Sequence, residues 1–293
     1  MASTGDSSAR LPLVPPLLSH PRRRRSRLRR ASWCLPARIC GRSLAEDTEL
    51  TKTGVEQLRL LTFGGLNLLV GGYTTTGAAT GRRRLALLAL LAVARDRGLN
   101  RDKVQAYLWP ESETERARHG LNQMVYFQRR HLDTGDVFLG KKTLRLNRAV
   151  ITSDVWDFED ALDAGAHEAA VRLYAGSFLD GFFLREAPGF ERWVDDQRRR
   201  LAERCAQVFG VLAAAAATQH QAVEWLRRAA ELNPYHTDTV LRLANAWVAI
   251  GDRAAAIQCA QQHADLLRAE LGLPPDASLV RMIEQLRAGS APA

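Results

Sequence analysis

Between Gly81 and Leu132 the chain reads GRRRLALLALLAVARDRGLNRDKVQAYLWPESETERARHGLNQMVYFQRRHL, a spacing of apolar residues that calls for three amphipathic helices in succession. The third is the most constrained. If it starts near Glu113, then Ala117, Leu121, Val125 and Leu132 fall within about 40° of one meridian at 100° per residue. Arg116, His119, Gln123, Tyr126 and Arg130 fall on the opposite side. An apolar stripe docks such a helix on its neighbours. The opposing stripe of long hydrogen-bonding side chains is either an ordinary solvated face or a reader of the DNA major groove, where the forks of Arg and Gln match base edges.

The residues that follow favour the second alternative. After stop signals at Asp133 and Gly135, DVFLGKKTLRLN alternates apolar residues around a turn at Gly140, Lys141 and Lys142, the pattern of a short β-hairpin with a basic tip. Three helices closed by such a hairpin make a winged helix-turn-helix, whose wing tip meets phosphates or the minor groove. Ahead of the helices, LRLLTFGGLNLLVGG (58–72) supplies strand-like runs broken by glycines, enough for a small N-terminal sheet.

Charge divides the chain in the same way. Residues 57–153 hold 16 Lys and Arg against 7 Asp and Glu, whereas residues 154–293 hold 14 against 20, so the overall net charge of +9 conceals a basic part beside an acidic one. A basic domain neutralises phosphates and releases counterions; an acidic one is repelled by the same duplex. Residues 1–56 contain five prolines and the run PRRRRSRLRR, and read as a disordered Arg/Pro-rich extension. Their apolar piece LPLVPPLL precedes the positive charge, the reverse of a secretory signal. The longest apolar run, LALLALLAVA, has half the length a membrane span requires. A soluble protein of the reducing cytoplasm, without membrane association, is expected.

The second half is helical in pattern over 157–164, 167–174, 189–218, 220–232, 237–250 and 253–271. It also contains a repeat. Ala222-Val223 and Ala256-Ile257 are 34 residues apart, each opening the second helix of a hairpin, with the small residues Gly210 and Ala244 twelve positions before them. Thirty-four residues is the tetratricopeptide period. Glu168 to Val171 looks like the same element displaced by an insertion carrying FLDGFFL, which should make this domain more compact than an open solenoid.

These motifs together resemble the bacterial activators of the streptomycete antibiotic regulatory protein type. The resemblance rests on Arg84 with the ALLALLAV run, Asn100-Arg101-Asp102 before Leu108-Trp109-Pro110, ERARHGLNQ, the Phe138-Leu139 to Leu144-Arg145-Leu146 wing, YAGSFLDGF (174–182) and FERWVDDQRRRLAERC (190–205). It implies an OmpR-like winged helix at 57–153 and an all-helical bacterial transcriptional activation domain at 154–293. Double-stranded DNA would be the ligand, bound at direct repeats by a homodimer or by side-by-side protomers, with RNA polymerase as the protein partner. The sequence departs from the family at Gln128, where the recognition helix usually carries a core Leu, and it lacks the ATPase and sensor modules of large relatives.

The expected fold is therefore mainly α, a winged helix-turn-helix with a small N-terminal sheet and a β-hairpin wing, followed by tetratricopeptide-like helices. The candidate base-edge readers are Arg116, His119, Asn122, Gln123, Tyr126 and Arg130. The candidate phosphate contacts are Arg82, Arg83, Arg84, Arg101, Arg129, Lys141 and Lys142. The alternative is a tetratricopeptide-like interaction adaptor whose winged helix is degenerate, a reading that Gln128 raises. No phosphate loop ending in Lys-Ser/Thr, no GxSxG elbow and no HExxH occurs, the seven histidines are scattered, and Cys34, Cys40, Cys205 and Cys259 lack metal spacing. Asp195-Asp196 reads as a solvated face, not a carboxylate pair. Neither catalysis nor a cofactor or metal is expected.

Overall fold

The computed structural model describes residues 57–75, 81–131 and 136–289; the expected extension over 1–56 lies outside the described residues. The chain opens on three antiparallel strands, β1 (Leu58–Leu61), β2 (Asn67–Val70) and β3 (Tyr73–Thr74), with Leu58 opposite Val70 and Leu61 opposite Asn67. Alternation decides which side is buried: Leu58, Leu60 and Leu68 are wholly covered, and Arg59 stands half out in solvent.

Three helices follow, α1 (Arg82–Ala94), α2 (Arg101–Leu108) and α3 (Thr114–His131). The side chain of Asn100 caps α2 by accepting from the Asp102 amide at 3.0 Å. In one respect α1 departs from the sequence reading. It is not amphipathic, because every residue from Leu85 to Ala92 is buried; a helix covered on all sides needs an apolar surface all round. The wing forms as expected from β5 (Phe138–Leu139) and β6 (Thr143–Leu146), and β6 also pairs with the short β4 (Leu99–Asn100).

A strand that the sequence did not announce completes the first sheet. After the wing, β7 (Ile151–Ser153) pairs in parallel with β1, Leu58 opposite Ile151, giving the order β3-β2-β1-β7. It runs without a loop into α4 (Asp154–Asp163). Only 6% exposed, Asp154 accepts from the backbone amides of Thr62, Phe63 and Val155 at 2.7–3.0 Å and from the Thr62 hydroxyl at 2.6 Å. One carboxylate thus joins the β1–β2 turn to the start of α4, where the helix dipole also favours negative charge.

The remaining helices are α5 (His167–Leu173), α6 (Pro188–Ala214), α7 (Gln219–Leu232), α8 (Thr237–Ala249), α9 (Arg253–Leu266) and α10 (Ala277–Ala288). They pair as antiparallel hairpins, α6 with α7 and α8 with α9, and their spacing matches the 34-residue repeat. Ala222, Ala244 and Ala256 are buried where paired helices approach, and Gly210 leaves room for Arg242, which donates to its carbonyl at 2.9 Å. Three boundaries differ from expectation: α4 begins at Asp154, three residues early. α6 stops at Ala214, and α9 loosens into a π turn over Leu267–Leu271 that ends at left-handed Gly272. α10 was not anticipated.

The insertion between α5 and α6 packs on the winged helix. Phe178, fully buried, bridges to Phe63 and Gly65; Leu179 donates its amide to the Thr62 carbonyl at 2.8 Å; and Arg198 of α6 donates to the Phe178 and Leu179 carbonyls. A single apolar core consequently runs from Leu58 through α1 to Phe178, Phe190 and Phe209, without a break at residue 153.

Replacing Asp154 with Ala leaves two strand-turn amides and a hydroxyl buried without an acceptor. The expected loss is about 3 to 5 kcal/mol of global stability, read from guanidinium melts of the whole chain. A loss under about 1 kcal/mol would show that water substitutes for the carboxylate.

Candidate nucleic-acid interface

α3 presents the two faces that its spacing implies. Ala117, Leu121, Met124 and Val125 are buried, while Arg116, His119, Asn122, Gln123, Tyr126, Arg129 and Arg130 are exposed, Tyr126 at 63%. Among the described residues Arg116, His119 and Gln123 have no side-chain hydrogen bond or ion pair, so their donors and acceptors face solvent uncommitted. Arg130 donates to the Tyr126 hydroxyl at 3.1 Å, one turn back along the helix. Asn122 is differently placed: its Oδ1 accepts from Arg101 at 2.8 Å.

That Arg101 contact belongs to a latch between α2, α3 and the wing. Arg101 donates through Nε to the Lys141 carbonyl at 2.6 Å and through its backbone amide to the Lys142 carbonyl at 3.2 Å. Burial, with the neighbouring Arg129 and Arg118 guanidinium groups, pulls Arg101 below the ordinary arginine pKa. The base of the wing is held similarly. Arg129 donates to the Phe138 carbonyl at 3.0 Å and pairs with Asp136 at 3.3 Å. Two glycines make the geometry attainable: at Gly98 (φ 61°) and Gly140 (φ 89°) a Cβ would collide with the carbonyls of Leu144 and Thr143.

The three arginines that open α1 are likewise engaged inside the fold. Arg82 donates to the Phe183 carbonyl at 2.7 Å, Arg83 donates to the Leu108 carbonyl at 3.2 Å and lies over Trp109, and Arg84 stacks 3.7 Å above the Phe127 ring. Each guanidinium carries five donors; among the described residues Arg82 and Arg83 each use one and Arg84 only stacks, so donors remain available to a ligand. Lys141 and Lys142 are exposed at the wing tip, and among the described residues their ammonium groups have no hydrogen bond or ion pair. The candidate phosphate contacts therefore comprise two free lysines and five arginines that also brace the frame.

Two features escaped the sequence reading. Arg145 stands exposed on the wing, and strand alternation would have located it. A cleft of about 1260 Å³ opens beside α3, lined by Arg82, Arg84, Gln123, Tyr126, Phe183 and Arg185 among others. Its walls are some hundred residues apart in the chain, and no local pattern signals such a meeting.

Burial pushes the Cys205 thiol up to about 12 and Cys259 up to about 11, which removes them as nucleophiles at neutral pH. Asp195 and Asp196 are exposed and pair with Arg198 and Arg199 one turn on. Among the described residues no helix is long and apolar enough to cross a membrane.

Residues 147–287 match the family model described as the bacterial transcriptional activator domain. Among solved structures the chain is similar to Mycobacterium tuberculosis EmbR in complex with a low-affinity phosphopeptide. That likeness has 20% identity and a TM-score of 0.57 over 81% of this chain and 67% of that one, and it shows a shared fold. Looser likenesses, at TM-scores of 0.26 and 0.24, link 46% of the chain to 94% of the TPR2B domain of yeast Sti1 (12% identity) and to 80% of the MamA protein (14% identity). No curated protein sequence matches significantly.

The apolar face of α3 contains one polar side chain. Gln128 is 0% exposed, and among the described residues neither its Oε1 nor its Nε2 has a partner. Gln128→Leu removes an unsatisfied buried carboxamide and should add about 1 to 2 kcal/mol of stability, with sequence choice on DNA retained. Denaturant melts beside binding assays of both proteins decide it. A Leu variant that is no more stable and loses specific binding would mean that α3 is rotated from this placement.

Proposed function

We propose that this chain, which carries a bacterial transcriptional activator domain behind a winged helix and so has the make-up of the streptomycete antibiotic regulatory protein type, is a sequence-specific DNA-binding regulator of transcription that acts as an activator in the cytoplasm. The observation that carries the reading is the exposed polar face of α3, where among the described residues Arg116, His119 and Gln123 are uncommitted, beside a basic wing tip and on a helix whose opposite face is buried. α3 would enter the major groove, with Arg116, His119, Gln123, Tyr126 and Arg130 reaching base edges and Asn122 at the margin of that set. Lys141 and Lys142 would meet the backbone from the wing, while Arg82 to Arg84, Arg101 and Arg129 add positive charge from the frame. Residues 57–153 would hold the DNA, and residues 154–293 would serve protein contacts. The family resemblance extends this to protomers lying side by side on direct repeats and to engagement of RNA polymerase.

A gel shift of the full chain on genomic fragments across a salt series tests the reading. Four to six phosphate contacts per protomer give a log-log slope of about −4 to −5. Gln123→Ala and Arg130→Ala should each cost about 1 to 3 kcal/mol on the preferred site and relax sequence choice, whereas Lys142→Ala should weaken all sequences alike. A flat salt response would leave the adaptor reading in its place. Equal losses on preferred and random duplex for all three variants would mean that a different face reads the bases.

A further inference from the structure

We infer that the DNA-contacting surface extends into the helical half of the chain: the cleft between α1, α3 and residues 183–186 seats the sugar-phosphate backbone of the strand that flanks α3 on the side away from the wing, and Arg185 is its phosphate contact. This rests on the proposal that α3 reads the major groove. A helix with its side chains is about 10–12 Å across, and the groove is about 12 Å wide, so a helix that fills it meets both bordering backbones. The wing covers one flank, through Arg129 at the base of β5 and through Arg101 and Lys141 at its tip. Gln123 and Tyr126, from the exposed face of α3, line the cleft on the other flank, so the cleft continues the proposed reading surface.

Its chemistry suits a polyanion. Arg82, Arg83, Arg84 and Arg185 line it against the single acid Glu186. The first three are braced within the fold, as described above, whereas Arg185 has no hydrogen bond or ion pair among the described residues. Its position is nevertheless built. Along 182–185 the residues alternate, Phe182 and Leu184 buried, Phe183 (59% exposed) and Arg185 outward. The Leu184 amide donates to Glu191 of α6 at 2.7 Å, the Phe183 carbonyl accepts from Arg82, and Phe182 packs edge-on against Phe190. A free guanidinium on a fixed loop, beside an exposed aromatic ring that can cover a deoxyribose, is the arrangement of a backbone contact. An acidic peptide would satisfy the charge equally well, but continuity with Gln123 and Tyr126 favours the duplex.

The test uses the full chain with a duplex selected from a random library by the wild-type protein, and a random duplex beside it. Arg185→Ala should weaken both about five- to tenfold at 0.1 M salt and reduce the salt slope by about 1, as one lost phosphate contact implies. Arg185→Lys should keep the slope. Phosphate ethylation interference should disappear at one position on the strand opposite the wing contacts, and the melting temperature should not move, because the side chain is exposed. If the wild type binds with a steep slope and Arg185→Ala matches it in affinity, slope and interference pattern, the cleft is not a DNA site, although the major-groove reading stands. A wild-type chain that binds neither duplex overturns that reading and this one together.

Discussion

The buried carboxylate of Asp154 is the interaction on which the rest of the structure depends. A carboxylate taken out of water is costly unless its oxygens are filled, and here three backbone amides and a hydroxyl fill them. Those donors come from two places, the β1–β2 turn and the first turn of α4. Satisfying one charge therefore fixes how the sheet of the winged helix meets the helical half. Glu159, one turn and a little more along α4, repeats the device with Arg95, Arg200 and Arg204 at 3.0–3.4 Å, tying the end of α1 and the middle of α6 to the same helix. Trp156 lies between them and donates its indole N–H to the Ala92 carbonyl at 2.6 Å. The three side chains make α4 a shared wall between the β1–β2 turn, the end of α1 and the middle of α6.

Around α3 the arginines divide their work. Some hold backbone carbonyls and aromatic rings, and these position the reading helix and the wing; on the outward face Arg130 meets only Tyr126, and Arg116 has no hydrogen bond or ion pair among the described residues. Arg101 shows the economy of this arrangement, since one guanidinium joins Asn122 on the recognition helix to the wing-tip backbone. A wing docked in this way reaches a ligand with its geometry already set, which lowers the ordering cost of binding. The positive field that neighbouring arginines impose on Arg101 is the same field a phosphate would meet.

Close approach governs the helical half. Alanine at 222, 244, 256 and 260 and glycine at 210 let α6 to α9 pack side by side, and α10 covers the last hairpin with Leu279, Met282 and Leu286. The insertion before α6 leaves this stack and seals the sheet, with Phe178 under the β1–β2 turn. Its buried aromatic residues Phe178 and Phe182 join the two halves, which is why no open solenoid forms at that end.

The amino-acid sequence by itself determined the elements and their faces. Helical spacing placed Leu121 and Val125 inward and Arg116, His119 and Gln123 outward, strand alternation with Gly140 set the wing, and the 34-residue interval set the paired helices, because each of these follows from side-chain period and local backbone freedom. The family resemblance marked Gln128 as standing where a core Leu is usual, and the structure buries its carboxamide. What only the tertiary structure decided are the contacts between distant segments. β7 is three residues long and exists because β1 is there to pair with it; α1 is buried all round because the sheet, the wing and α4 enclose it; and Arg82, Arg83, Arg84, Arg101 and Arg129, which look alike in a basic sequence, are sorted into braces by carbonyls and rings that lie from 9 to 101 residues away. Periodicity carries no information about such partners, since which groups meet is settled by how the packed elements bury one continuous core.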